Sequence, residues 1–147
     1  MKHATFQALA IAVTLALSAG TAAAQDAAAD AMTAPQIRAS LESQGYTRVN
    51  DVEFEDGVWK ADARSADGQR VELRVDPATG KVYPEDAVST LGEADVRAKL
   101  SAAGYSKVDD VKFDDGVWTA DAEDANGRDL KLTLDPETGE VVGKDRD

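Results

Sequence analysis

VEFEDGVW, residues Val52 to Trp59, returns 59 positions later as VKFDDGVW, residues Val111 to Trp118. The correspondence extends outward on both sides. Gly45-Tyr46 matches Gly104-Tyr105, Ala61-Asp62-Ala63 matches Ala120-Asp121-Ala122, and Asp76-Pro77-Ala78-Thr79-Gly80 matches Asp135-Pro136-Glu137-Thr138-Gly139. Between Ile37–Val82 and Val96–Val141, 24 of 46 positions are identical without a gap. The chain is a tandem duplication, and its fold is one unit used twice.

Asp-Gly at 56–57 is a two-residue hairpin signal. It sets Glu55 against Val58, Phe54 against Trp59, Glu53 against Lys60 and Val52 against Ala61. Apolar residues then share one face, and Glu53 and Lys60 pair on the other. The same register in the second unit sets Phe113 against Trp118 and Val111 against Ala120. The next connection, Ala66-Asp67-Gly68, keeps its apolar face aligned only as a three-residue loop. That loop pairs Ala63 with Val71 and Ala61 with Leu73, and it also places Lys60 opposite Arg74. Asp76 to Gly80 is a further turn, in which Pro77 fixes φ and Asp76 can accept from the backbone two residues on. It leads into a short strand at 81–83.

Upstream, Thr33 and Gln36 have the spacing of a capping box, with Pro35 in the first turn. Ile37 and Leu41 share a face, Gly45 stops the helix, and Tyr46 is placed to pack back on Leu41. The second unit repeats Val96, Leu100, Gly104 and Tyr105. Its capping signal is Thr90 with Glu93, two positions early, which predicts a slightly earlier start. The expected class is α+β: a tandem repeat, each unit one short helix packed on a small antiparallel sheet of about four strands.

Residues 1–24 read as a secretory signal peptide, with Lys2 and His3, an apolar run from Ala8 to Leu17, and cleavage between Ala24 and Gln25. The run is too short and Ala-rich for stable membrane insertion. The expected divisions are signal peptide 1–24, disordered lead 25–32, first repeat 33–84, linker 85–89, second repeat 90–142 and polar tail 143–147. Beyond residue 24 the chain has 15 basic and 28 acidic residues, no His and no Cys. Stability must come from packing. Because 55–60 residues bury little surface, the two units are expected to pack together or share a sheet. The negative charge argues against nucleic acid and anionic lipid as partners.

Catalysis is poorly supplied. His-based acid–base chemistry, Cys nucleophiles and the usual zinc sites all lack their residues, so no enzyme and no cofactor is expected. Calcium loops centred on Gly68 or Gly127 fail at the first ligand, which would be Ala63 or Ala122. Looser acidic stretches, Asp121–Asn126 and Asp109–Asp115, carry the cation alternative. Trp59 and Trp118, paired with Phe54 and Phe113, read as core. The opposite face (Glu53, Glu55, Lys60, Asp62, Glu72 and Arg74) reads as solvated.

A helix ending in Gly-Tyr, an acidic-Gly-aromatic hairpin, and the closing Asp-Pro-x-Thr-Gly-x-Val together resemble the PepSY domain, over both units. The resemblance implies an exported bacterial protein, periplasmic or secreted, with a helix against a small antiparallel sheet. Because PepSY domains occur in propeptides of secreted metallopeptidases, it also implies a peptidase as a protein partner. No peptidase domain follows, so such a role would be exercised in trans. The function expected is therefore a non-catalytic binding module of the cell envelope, peptidase-interacting or inhibitory; the alternative is a periplasmic small-ligand or calcium binder. Asp76, Thr79, Asp135 and Thr138, in the Asp-Pro turns, are the binding candidates because those turns are expected to be rigid and to protrude.

Overall fold

The computed structural model describes residues 31–146; the expected signal peptide, its cleavage point and most of the expected lead lie outside them. Each unit is a helix followed by a four-stranded antiparallel sheet. In the first, α1 (Ala34–Ser43) precedes β1 (Thr47–Glu55), β2 (Val58–Arg64), β3 (Arg70–Val75) and β4 (Val82–Pro84). In the second, α2 (Glu93–Ala102) precedes β5 (Ser106–Asp114), β6 (Val117–Glu123), β7 (Asp129–Leu134) and β8 (Val141–Arg146). Strand order follows chain order in both sheets, β1-β2-β3-β4 and β5-β6-β7-β8.

Local chemistry explains the helix ends. The Gln36 side chain accepts from the Thr33 backbone N–H at 2.8 Å, closing the expected box. The second helix does not start early. Its N-cap is Gly92, in strict register with Thr33, and Asp95 accepts from the Gly92 N–H at 2.9 Å. Thr90 lies outside the helix and Glu93 is merely its first residue. Both helices close at Gly45 and Gly104 with positive φ, and Tyr46 N–H and Tyr105 N–H return to the carbonyls of Leu41 and Leu100 at 3.1 Å.

The hairpins follow the expected register near their turns. Asp56 and Gly57 both have positive φ, as a type I′ turn requires, and Glu55, Phe54 and Glu53 face Val58, Trp59 and Lys60. One step further the register departs from expectation. Asn50 faces Asp62, so Asp51 and Val52 share the place opposite Ala61: a β-bulge. A second shift follows before Thr47, and both recur in β5, where Val111 does not pair singly with Ala120. The left-handed residues are Arg48 and Asp51 in one unit and Lys107 and Asp110 in the other. Between β2 and β3, Ala63 faces Val71, Ala61 faces Leu73 and Lys60 faces Arg74, as the three-residue loop predicts.

One face of each sheet buries against its own helix. Ile37, Leu41, Val49, Ala61, Ala63, Leu73 and Val75 form the first core, and Val96, Leu100, Trp118, Ala120, Ala122, Leu130, Leu132 and Leu134 the second. Phe54 packs edge-to-face on Trp59 with centroids 5.3 Å apart, yet over half of it is exposed (54%), so it belongs to the rim rather than the core.

The other face is solvated only in part: Glu53 and Glu55 are exposed, and Lys60, Asp62 and Glu72 half-buried, but Arg74 is buried. Val58, Arg74 and Tyr83 from the first unit and Val117 and Thr133 from the second are all buried, outside both helix-side clusters. The two sheets lie back to back, giving helix, sheet, sheet, helix. The contacts repeat with the 59-residue offset. A Cβ added at Gly57 would stand 2.2 Å from the Lys144 nitrogen, beside Gly143; one added at Gly116 would stand 2.0 Å from the Pro84 carbonyl oxygen. Position 143 is position 84 moved by 59, so the halves meet across a pseudo-twofold axis. This contact also explains why residues 143–146 are strand rather than the expected tail: they complete β8 against β7, with Leu130 facing Arg146.

Candidate functional site

Each Asp-Pro turn is built by its aspartate. Asp76 Oδ1 accepts from the Ala78 N–H at 2.8 Å, while Asp76 Oδ2 accepts from the Thr79 hydroxyl at 2.8 Å. Asp135 Oδ1 accepts from the Glu137 and Thr138 N–H groups at 2.7 and 3.0 Å. Thr79 Oγ1 and Thr138 Oγ1 in turn accept from Lys81 N–H and Glu140 N–H, each at 3.2 Å. The aspartates of the turns therefore do not protrude. Asp76 and Asp135 are buried at 7% and 4% exposure with inward carboxylates, and only Thr79 and Thr138 of the four candidates remain exposed.

The turns also hold the segment ahead of each helix. Met32 N–H donates to the Pro77 carbonyl at 2.8 Å, and the Ser89 hydroxyl donates to the Pro136 carbonyl at 2.6 Å. The tryptophans reach the same segments: Trp59 Nε1 donates to the Met32 carbonyl at 2.9 Å and Trp118 Nε1 to Ser89 Oγ at 2.7 Å. An indole buried with its N–H satisfied is a structural anchor.

Across the axis, the two turns come to one region. Lys81 Nζ lies 2.6 Å from Asp135 Oδ2 and 3.2 Å from Glu137, and the Tyr83 hydroxyl donates to Asp135 Oδ2 at 2.9 Å. Burial alone would raise the Asp135 pKa, but the Lys81 ammonium, the turn N–H groups and the Tyr83 hydroxyl bring it down to about 2. The Asp135 carboxylate in turn raises the Lys81 pKa, and burial followed by that carboxylate raises the Tyr83 phenol. By the 59-residue offset, Glu140 and Val142 take, on the side of Asp76, the places that Lys81 and Tyr83 take beside Asp135. There a cleft of about 550 Å³ opens, lined by Asp76, Lys99, Tyr105, Thr138, Glu140 and Val142 among others. Asp76 and Thr138, from different repeats, thus share one cleft, which a sequence without the pseudo-twofold could not reveal.

The acidic stretches are otherwise engaged. Asp124 accepts from Arg128 at 2.8 Å, and that guanidinium, with the turn N–H groups, holds its pKa down to about 2. Asp115 is bound to Arg74 at 2.5 Å. Among the described residues no group of three or more His, Asp or Glu side chains is placed to hold a metal ion, and no helix is long and apolar enough to cross a membrane.

Searches of curated proteins and of solved structures found no match. A family model for the peptidase propeptide and YPEB domain matches residues 8–86 and again residues 84–145. With one match on each helix-and-sheet unit, the chain belongs to the PepSY family and carries two tandem copies of its domain.

Proposed function

We propose that this protein is an exported, non-catalytic binding module of the bacterial cell envelope, periplasmic or secreted, that engages a peptidase in trans. The observation that carries the reading is the meeting of both Asp-Pro turns at one cross-repeat surface, where Asp76 and Thr138 line the same cleft. The family's link to peptidase propeptides supports a peptidase as the partner class. The fold supplies a rigid platform for occlusion: turns fixed by buried aspartates, with Thr79 and Thr138 presented outward. A preformed surface of this kind loses little entropy on binding.

The test is a pull-down from envelope extract with residues 25–147 as bait, followed by a peptidase inhibition assay on whatever is captured. A stoichiometric peptidase partner is the expected result. Thr79→Arg and Thr138→Arg should each weaken inhibition about tenfold while leaving the chain folded, equivalent to about 1.4 kcal/mol of binding energy. Unchanged inhibition by both variants would remove the turns from the mechanism. The calcium alternative has less geometric support, since Asp124 and Asp115 already serve Arg128 and Arg74. A rise in thermal midpoint with millimolar calcium, beyond an ionic-strength control, would restore it.

A further inference from the structure

We propose that the cleft beside Asp76 seats a tyrosine side chain presented by the partner protein, resting on the reading above for the partner's class. The molecule carries the filled form of this cleft on the other side of its pseudo-twofold axis. There Tyr83 is only 2% exposed, and its hydroxyl donates to Asp135 Oδ2 at 2.9 Å. The 59-residue offset relates Asp76 to Asp135, Tyr46 to Tyr105 and Tyr83 to Val142, a much smaller side chain. The strands differ here as well. Tyr83 faces Arg74 in regular register, whereas Thr133 faces Gly143 and Leu134 faces Val141, which leaves Val142 as a bulge. It is the half-buried Val142 that lines the cleft, so the open volume of about 550 Å³ lies where the other half keeps a phenol ring.

The acceptor is open too. Asp135 receives the Glu137 and Thr138 N–H groups, the Lys81 ammonium and the Tyr83 hydroxyl. Asp76 receives only donors of its own turn: the Ala78 and Thr79 N–H groups and the Thr79 hydroxyl. A carboxylate offers about four acceptor sites. Asp76 therefore keeps one to spare, and among the described residues no donor from the second repeat reaches it.

The lining decides the kind of donor. Asp76 and Glu140 outnumber the one cation, Lys99, so an anionic ligand is disfavoured. Leu100, Ala103, Tyr105, Val141 and Val142 supply an apolar wall. A lysine would bring a donor as well. On the filled side, however, the phenol is the group that is sealed in, while the Lys81 side chain stays 44% exposed at the edge. An aromatic body with one polar tip matches a pocket that is apolar along its wall and ends on a carboxylate, and tyrosine is a favoured anchor at protein interfaces.

The test is an NMR titration of the intact chain with N-acetyl-tyrosinamide, N-acetyl-phenylalaninamide and N-acetyl-lysinamide. Saturable shifts at the Leu100, Ala103 and Val142 amides are expected with the tyrosine compound, and about tenfold weaker binding of the phenylalanine compound. No saturation with the tyrosine compound, or equal affinity for either of the others, overturns the proposal. Val142→Tyr is the informative variant, because it fills the cleft from within. Its thermal midpoint should exceed that of the parent, and the tyrosine compound should no longer bind. Binding retained in Val142→Tyr overturns the proposal by placing the ligand elsewhere. The titrations need no peptidase, so tyrosine binding together with an empty pull-down would refute the partner class and leave the ligand of the cleft standing.

Discussion

Asp135 is a small case of a buried charge made tolerable by its neighbours. Its carboxylate is nearly sealed from water but receives two backbone N–H groups, the Lys81 ammonium and the Tyr83 hydroxyl. Its folded pKa of about 2 lies below the ordinary 3.8. Stability from this group is therefore complete above the ordinary value and is lost as pH falls from about 4 through 2. The loss should be about 2 kcal/mol. Urea midpoints measured from pH 5 down to pH 2 should show that limb, and Asp135→Asn should flatten it. The same substitution at pH 7 should cost about 2 kcal/mol, because the buried site loses the carboxylate that receives the turn N–H groups and the Tyr83 hydroxyl, while the half-exposed Lys81 ammonium turns to water. Asp76→Asn should cost less, about 1 kcal/mol, since Asp76 serves only its own turn. Equal losses at the two sites would refute the asymmetry.

At the scale of elements, the hairpin tips are the parts that tolerate least change. A methyl group at Gly57 or Gly116 meets backbone of the other repeat at 2.2 or 2.0 Å, and both residues hold positive φ. Gly57→Ala and Gly116→Ala should each cost about 3 kcal/mol or more. Gly45→Ala and Gly68→Ala meet open space and suffer only the left-handed penalty, about 1 kcal/mol. Denaturant titration of the four variants would rank them. The register beside each turn was legible because Asp-Gly imposes it locally. The bulges were not, since a strict two-residue period assigns one partner to each position. A signal existed: Val49 and Val52 face the first core and Phe54 packs on Trp59 at its rim, at spacings of three and then two, and Val108, Val111 and Phe113 repeat the spacing against the second core. A step of three cannot stay on one face of a strand without an extra residue. Likewise the Asp-Pro turns could be read from the sequence as local structures, but their contacts across 50 or more residues could not.

On the scale of the whole molecule, the burial of Arg74 on the polar face of the first sheet is not legible in the sequence, because the alternation there is that of an ordinary half-buried strand. What covers that face is the other copy, and the 59-residue offset lets the contact be tested by exchange. Two copies of the first repeat placed on the same axis would set Arg74 against Asp56, and Lys81 and Tyr83 against Asp76. Every one of those pairings is favourable. Two copies of the second would set the exposed Glu140, and Val142, on the side of Asp135, so that its buried carboxylate faces a like charge instead of Lys81 and Tyr83. Isolated residues 31–89 should therefore dimerise in sedimentation experiments, whereas isolated residues 90–147 should remain monomeric and less stable. The intact chain should unfold in one cooperative transition, because neither half keeps its buried face without the other.

The back-to-back pairing has an evolutionary consequence. A symmetric pair of separate subunits must carry every substitution twice, once on each side of its axis. Joining the halves in one polypeptide lifts that constraint. Here one side of the axis holds Lys81 and Tyr83 over an aspartate, while the other holds Glu140 and Val142. At the hairpin tips, one side has Lys60 and Arg74 and the other has Thr119 and Thr133. No homodimer could encode those differences. Duplication has let one half keep the surface cemented while the other half was released to acquire a cleft.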